Sequence, residues 1–255
     1  MAELITTTKN KTYKYIRSLL QKKYRTEYKR YTVEGIKSVR DALASGAPVE
    51  LIAMADSFCA PELIKDIPYI TVRDDIFSCL CDTKTPQGII AVIKMLDNTQ
   101  YTCDSDKLYI YCDGVSDPGN LGTIIRTADA AGFGGVLLSD GCADLYSPKT
   151  VRSSMGSFFN MDVVTGFTHE RLARLKETGF ALYCGALSDD SIDYREPDYS
   201  APSVLIVGNE AKGASDEILG ISTHTIIPIY GKAESLNAAV AASIMMYEAG
   251  EQRHG

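Results

Sequence analysis

The stretch LYIYCDGVSDPGNLGTIIRTADAAGFGGVLLSD, Leu108 to Asp140, decides the fold class. An apolar run climbs to Asp113 and stops at a loop with a Pro118-Gly119 turn. Leu121, Ile124, Ile125 and Ala128 then recur at helical spacing, and Gly132 ends that helix. Asn120 is placed to cap its start. A second apolar run, GVLL, follows at once. Strand, helix and strand in this order are the unit of a parallel sheet.

The same alternation extends toward the C-terminus. LYIYCDG, GVLLSD, MDVVT, FALYCGA, SVLIVGN and HTIIPI read as strands, with helices GNLGTIIRTADAAG, HERLARLKETG and SLNAAVAASIMMYEAGEQR among them. The expected class is α/β: a mostly parallel sheet with helices on both faces, whose ligands bind beyond the carboxyl ends of the strands. Upstream, Asn10 to Leu20 reads as a helix and YTVEG as a short strand, followed by the helix IKSVRDALASG. VELIAMAD, IPYITV and GIIAVIKM read as further strands, with a helix RDDIFSCLCD before the last. These predict a small α/β domain over residues 1–96, a polar linker DNTQYTCDSDK over 97–107, and a larger domain over 108–255.

The 255 residues carry a formal net charge of −7, which argues against a surface coated uniformly with positive charge. The charge is segregated. Residues 9–30 hold nine bases and one acid, while residues 105–255 sum to −9. Tyr13, Tyr15, Tyr24 and Tyr28 interleave with those bases. Two readings of the segment stand: a solvated amphipathic helix with lysine stems over apolar surface, or an RNA contact in which cations meet phosphate and tyrosines stack. No apolar run approaches the ~20 residues of a membrane span, and MAELITTTKNKTYKYIRSLL has no apolar core of a signal peptide. The seven scattered cysteines read as reduced and mostly buried in a cytoplasmic protein. They do not cluster with His169, His224 or His254, so no metal is expected.

Three loops carry the candidate chemistry. In the opening stretch, a helix start with Arg126 less than two turns downstream is a candidate anion site; an arginine ion-paired on the helix surface is the alternative. VLIVGNEAKGAS, Val204 to Ser215, runs an apolar strand into Gly208, Asn209, Glu210 and Gly213, where glycine lets backbone approach a ligand. It matches neither the G-x-x-x-x-G-K-[ST] nor the G-x-G-x-x-G phosphate pattern. In IIPIYGKAESLNAAVAASIMMYE, Ile226 to Glu248, a strand stops at Pro228 and Ser235 is placed as a helix cap. The alanine-rich helix beyond it must pack closely on a neighbour, and Asn237 stands in its first turn.

Together these loops resemble the signature motifs of the SpoU (TrmH-type) RNA ribose 2′-O-methyltransferases of the SPOUT superfamily. N-x-G-x-x-x-R appears as Asn120, Gly122 and Arg126; the GNE-x-x-G loop as Gly208 to Gly213; and the I-P-x-x-G…S-L-N start as Ile227 to Asn237. SPKTVRSSMGSFF, Ser147 to Phe159, and KKYRTEYKRYTVEGIKSVRDAL are also similar to family segments, the latter to an L30e-like substrate-binding domain. Ala238 and Ala239 depart from the pair common in that family, which implies altered packing there. The resemblance implies a deep trefoil knot in the C-terminal domain, S-adenosylmethionine as methyl donor and a homodimer. It implies RNA, ribosomal RNA first, as substrate; a tRNA 2′-O-methyltransferase and a non-catalytic RNA-binding SPOUT protein are the alternatives. By the same resemblance Arg126, Asn120, Glu210, Ser235 and Asn237 are catalytic. It also implies that Gly208, Asn209, Gly213, Ile227, Ile229 and Leu236 hold the cofactor; on the RNA reading of the basic segment, Lys9, Lys11, Arg17, Lys22, Lys23 and Arg25 meet RNA.

Overall fold

A computed structural model describes residues 3–58, 60, 63, 67–96 and 101–255. In chain order the elements are β1 (Glu3–Ile5), α1 (Lys11–Ser18), α2 (Lys22–Tyr28), β2 (Arg30–Glu34), α3 (Ile36–Ala44), β3 (Val49–Ala55), β4 (Tyr69–Val72), α4 (Asp74–Phe77) and β5 (Ile89–Lys94). There follow β6 (Leu108–Asp113), α5 (Pro118–Ala130), β7 (Gly135–Leu138), α6 (Pro148–Ser153), β8 (Val163–Thr165), α7 (His169–Glu177), β9 (Ala181–Gly185), β10 (Ile192–Asp193), β11 (Ser203–Gly208), α8 (Asp216–Leu219), β12 (Thr223–Ile226) and α9 (Ala238–His254).

The chain forms two compact units. Met1–Leu96 with Tyr146–Phe159 make one, and Asp97–Leu145 with Asn160–Gly255 the other. The excursion Tyr146–Phe159, within residues 108–255, belongs to the first unit. Its aromatic side chains explain this: Tyr146 and Phe158 pack on Tyr31 at ring distances of 4.9 and 5.6 Å, and Val151 joins the same apolar cluster. Of the expected linker, residues 97–100 lie outside the described residues. The remainder packs on the second unit, where the Tyr109 hydroxyl accepts from the Asp104 amide at 2.7 Å and Tyr101 meets the Tyr109 ring.

The first unit is a five-stranded mixed sheet in the order β1-β4-β3-β5-β2. The apolar run of β5 alternates faces, as strand geometry requires. Ile90 and Val92 join Tyr13, Ile16 and Leu19 of the α1 segment, while Ile89, Ala91 and Ile93 join Val39 and Ala42 of α3. The helix expected over Asn10–Leu20 is α1. The second helix, α2, was hidden by its sequence, because KKYRTEY has no apolar stripe.

The second unit is a seven-stranded sheet, β10-β12-β9-β11-β6-β7-β8, parallel throughout. Leu172 of α7 and Ile218 of α8 cover the face that carries Tyr109, Tyr111, Val204 and Ile206. α9 packs on β11 and α5, and α5 on β7. The alanine-rich helix indeed approaches closely: Ala239, Ala242, Ala249 and Gly250 are buried, and a Cβ at Gly250 would lie 2.8 Å from the Ala131 carbonyl oxygen. Chain direction across the sheet reverses between β6 and β11, so their carboxyl ends open at the topological switch point where such sheets bind ligands.

The cysteine reading needs correction. Cys112 and Cys184 are buried, but Cys81, Cys103 and Cys142 are only partly so and Cys79 is exposed; Cys59 lies outside the described residues. No helix among the described residues is long and apolar enough to cross a membrane.

Candidate active site

The site grows from the carboxyl ends of β6 and β11. Asp113, the last residue of β6, is buried, and its two oxygens face different elements. Oδ2 accepts from the Ser215 amide at 2.8 Å, and Oδ1 stands 3.2 Å from the His169 Nε2 atom at the head of α7. One carboxylate thus ties the loop after β11 to the end of β6.

That loop closes on itself. Asn209 and Gly213 exchange amide–carbonyl hydrogen bonds at 2.9 Å in both directions, and Gly213 has φ +75°, which suits glycine. Gly208 is required for another reason. A Cβ there would lie 2.5 Å from the Gly213 carbonyl oxygen and closer still to the Ala214 amide. The Asn209 side chain is committed inside the protein: its amide donates to the Gly114 carbonyl at 2.8 Å, and its oxygen accepts from the Ala211 and Lys212 amides. Asn209 therefore joins the two strand-end loops, with its side chain and its backbone both committed inside the protein.

Glu210 reaches across to the start of α5. Oε2 accepts from the Ser116 amide and hydroxyl at 3.1 and 3.0 Å; Oε1 accepts from the Asp117 amide at 3.2 Å and from Asn120 Nδ2 at 2.8 Å. Burial raises the carboxyl pKa, but hydrogen bonds from Asn120, the Glu210 amide, Ser116 and Asp117 outweigh it and hold the group at about 2. Asn120 in turn accepts from Asn237 Nδ2 at 3.1 Å, and Asn237 Oδ1 accepts from the Ala239 and Val240 amides at the head of α9. Glu210, Asn120 and Asn237 form one clamp that joins two loops and the starts of two helices.

Two expected caps are corrected. Asp117, not Asn120, caps α5: its side chain accepts from the Asn120 amide at 2.9 Å, and Pro118 follows at the first helical position. Asn237, not Ser235, caps α9. At the α5 start Glu210 takes the Ser116 and Asp117 N–H groups and Asp117 takes that of Asn120.

Arg126 lies apart from the clamp. At about 100° per residue it is some 120° around α5 from Asn120. It is exposed, and its guanidinium has no hydrogen-bond or ion-pair partner among the described residues, so the surface ion pair is not formed. Ser235 is exposed in the loop before α9, also without a hydrogen-bond partner among the described residues.

The segment after β12 has the character of a cofactor cradle. Ile227, Pro228 and Ile229 are half-buried, and Leu236 remains 37% exposed. From Pro228 to Leu236 no backbone N–H or C=O has a hydrogen-bond partner among the described residues. Apolar side chains beside unpaired backbone donors and acceptors suit a neutral heteroaromatic ligand, and these residues fit the adenosine part of S-adenosylmethionine.

In the first unit, Lys9, Lys11, Arg17, Lys22 and Lys23 are exposed. Arg25 is not available to RNA. It is 4% exposed, and Nη1 donates to the Leu19 and Leu20 carbonyls at 2.8 Å each, closing the turn between α1 and α2.

The linking groups Asp113, Ser116, Asp117 and Ser215 were missed from the sequence. Only Asp117 left a local signal, an acid directly before a helix-starting proline.

Residues 107–247 match the model of the SpoU rRNA methylase family, and residues 10–91 that of the MRM3-like substrate binding domain. The chain is 39% identical over 245 residues to the 23S rRNA (guanosine(2553)-2′-O)-methyltransferase RlmP of Bacillus subtilis, covering 95% of this chain and 97% of the relative. It resembles the AdoMet-bound rRNA methyltransferase of Sinorhizobium meliloti with a TM-score of 0.88 and 32% identity, over 98% of each chain. The SpoU methyltransferase AviRb of Streptomyces viridochromogenes, solved with AdoMet, gives a TM-score of 0.84 and 30% identity, over 96% of this chain and 99% of AviRb.

Proposed function

We propose, taking as premise that the chain belongs to the SpoU rRNA methylase family, that it transfers a methyl group from S-adenosylmethionine to a ribose 2′-hydroxyl of large-subunit ribosomal RNA. One observation carries the reading: the Glu210–Asn120–Asn237 clamp locks the loops after β6 and β11 to α9, while Arg126, further along the same helix as Asn120, is exposed and has no partner among the described residues. The bound cofactor supplies the electrophilic methyl group. This chain supplies binding and orientation. Gly208, Gly213, Ile227, Ile229 and Leu236 border the cofactor, with Asn209 fixing the loop that carries the first two.

Glu210, saturated with hydrogen bonds and with its pKa near 2, is a positioning residue and not a base. Asn120 and Asn237 share that part, and Ser235 faces the substrate from the exposed loop. A guanidinium keeps its proton far above neutral pH, so Arg126 would bind phosphate and stabilise the oxyanion that develops as the 2′-hydroxyl gives its proton to water and attacks. A planar bidentate fork fixes the orientation of the phosphate, and an ammonium, a point charge, does not. Arg126→Lys should therefore fold normally and lose most methyl transfer; near-full activity at neutral pH would sink the role.

The active form is a homodimer through α9. Val240, Ile244 and Tyr247, at positions i, i+4 and i+7, leave an apolar row on its outer side, 47% exposed at Val240 and 58% at Tyr247. The knot belongs to the same reading, supported by the insertion of β11 between β6 and β9 and the return of α9 onto α5. The protein works in the cytoplasm and without a metal.

Mapping 2′-O-methyl groups in ribosomal and transfer RNA, with and without the protein, tests the proposal. A site gained in large-subunit RNA is expected. A gain confined to tRNA would replace the substrate, and unchanged maps of both would overturn the enzymatic reading.

A further inference from the structure

The first unit carries three aromatic rings that the proposed chemistry does not use. Tyr15 of α1 meets Tyr28 edge-on at 5.3 Å, and Tyr28 stacks on Tyr24 of α2 at 6.1 Å with 18° between the planes. Lys23 lies over the Tyr24 ring at 5.6 Å. Tyr28, in the middle, is 40% exposed. The contrast with Tyr13 is informative. That ring is fully buried and its hydroxyl donates to the Ile76 carbonyl at 2.9 Å, as core tyrosines do. The hydroxyls of Tyr15, Tyr24 and Tyr28 have no hydrogen-bond partner among the described residues.

The turn that ends the cluster is braced. Lys29 adopts a left-handed conformation, φ 54°, directly after Tyr28. Arg30 fixes that turn: Nη1 donates to the Tyr28 and Lys29 carbonyls at 3.0 and 3.1 Å, while Glu50 holds the other side of the guanidinium. Such pre-organisation lowers the ordering cost of binding. Around the rings Lys14, Arg17, Lys22, Lys23 and Lys29 are exposed, with Glu27 the acid among them. An aromatic surface ringed by cations complements one ligand chemistry, a nucleic-acid backbone that presents an unstacked base.

We infer that Tyr28, flanked by Tyr15 and Tyr24, is a stacking platform that captures an unpaired base of the RNA substrate, so that the chain selects a loop or bulge over continuous duplex. The inference rests on the RNA-methyltransferase reading and adds to it which structural feature of RNA is recognised and by which residues.

The probe is a hairpin RNA carrying 2-aminopurine at a loop position, with a fully paired blunt duplex of equal length as control. Stacking on tyrosine should quench the fluorophore in the wild-type complex. Tyr28→Ala should weaken hairpin binding roughly 5- to 150-fold, the range for one lost base–aromatic stack, and leave duplex binding unchanged. Tyr28→Phe should bind as the wild type does. Absence of quenching with the wild-type protein overturns the platform without any variant. So does a Tyr28→Ala protein that binds the hairpin normally or loses hairpin and duplex equally, or a Tyr28→Phe protein as weak as Tyr28→Ala. Any of these can occur while the wild type still methylates RNA, and a failure of methyl transfer can occur with quenching intact, so the two readings fail separately.

Discussion

Replacing Glu210 with glutamine removes one charge and turns one acceptor oxygen into a donor, at almost constant volume. The carboxylate accepts four hydrogen bonds, two on each oxygen, and each oxygen serves a backbone N–H at the head of α5. Whichever way the amide is turned, its NH2 confronts one of those N–H groups. Taken in full, a pKa lowered from 4.5 to about 2 corresponds to about 3 kcal/mol. Glu210 is largely solvent-exposed, so screening reduces this to about 1–2 kcal/mol. For a chain of this size that lowers the melting temperature by roughly 2–8 °C.

The sign of the pH dependence follows. The folded pKa lies below the unfolded one, so the stabilisation is fully present above about pH 4.5 and is lost as pH falls toward about 2. Thermal unfolding of wild type and Glu210→Gln at pH 7 and pH 3 reads this directly. The gap should be widest at pH 7 and contract at pH 3. Equal gaps at both values, or none at pH 7, would refute the claim that the ionised carboxylate holds the α5 start.

Other consequences can be checked more briefly. Gly208→Ala drives a Cβ into the Gly213–Ala214 backbone and should cost about 1–3 kcal/mol while abolishing S-adenosylmethionine binding by calorimetry; unimpaired binding would show that the loop opens freely. Arg25→Met strands the Leu19 and Leu20 carbonyls and should destabilise the first unit by about 1–3 kcal/mol in urea unfolding; a wild-type midpoint would contradict its structural assignment. Lys22→Gln with Lys23→Gln should leave that midpoint within about 0.5 kcal/mol. The pair should reduce the slope of log affinity against log salt for single-stranded RNA by roughly 1.4. An unchanged slope would make these cations a solvated face.

Local pattern carried far in this sequence because its signals were consistent. The stripe Leu121, Ile124, Ile125 and Ala128 is fully buried, as its spacing required, and Gly132 follows the helix end in a left-handed conformation. The helix caps failed at residue scale. Ser235 and Asn237, like Asp117 and Asn120, are all good capping types, and only backbone geometry chooses between neighbours. α2 failed because its stability comes from Arg25 and stacked tyrosines instead of an apolar stripe.

Arg25 marks the division most clearly. Composition counted it with the cations of residues 9–30, since an arginine in a basic run looks like any other. Burial and two carbonyl partners set it apart, and those depend on how α1 and α2 fold back on each other. The sequence by itself determined the parallel α/β order, the three strand-end loops and the charge segregation, because periodicity, glycine and charge act over a few neighbouring residues. Tertiary structure alone decided that Glu210, Asn120 and Asn237 meet across 90 and 117 positions while Arg126 has no partner among the described residues. It alone sent Tyr146–Phe159 to the first unit. Such contacts are set by which strand ends lie side by side, and hydrogen bonds of 3 Å carry no imprint in the local chain.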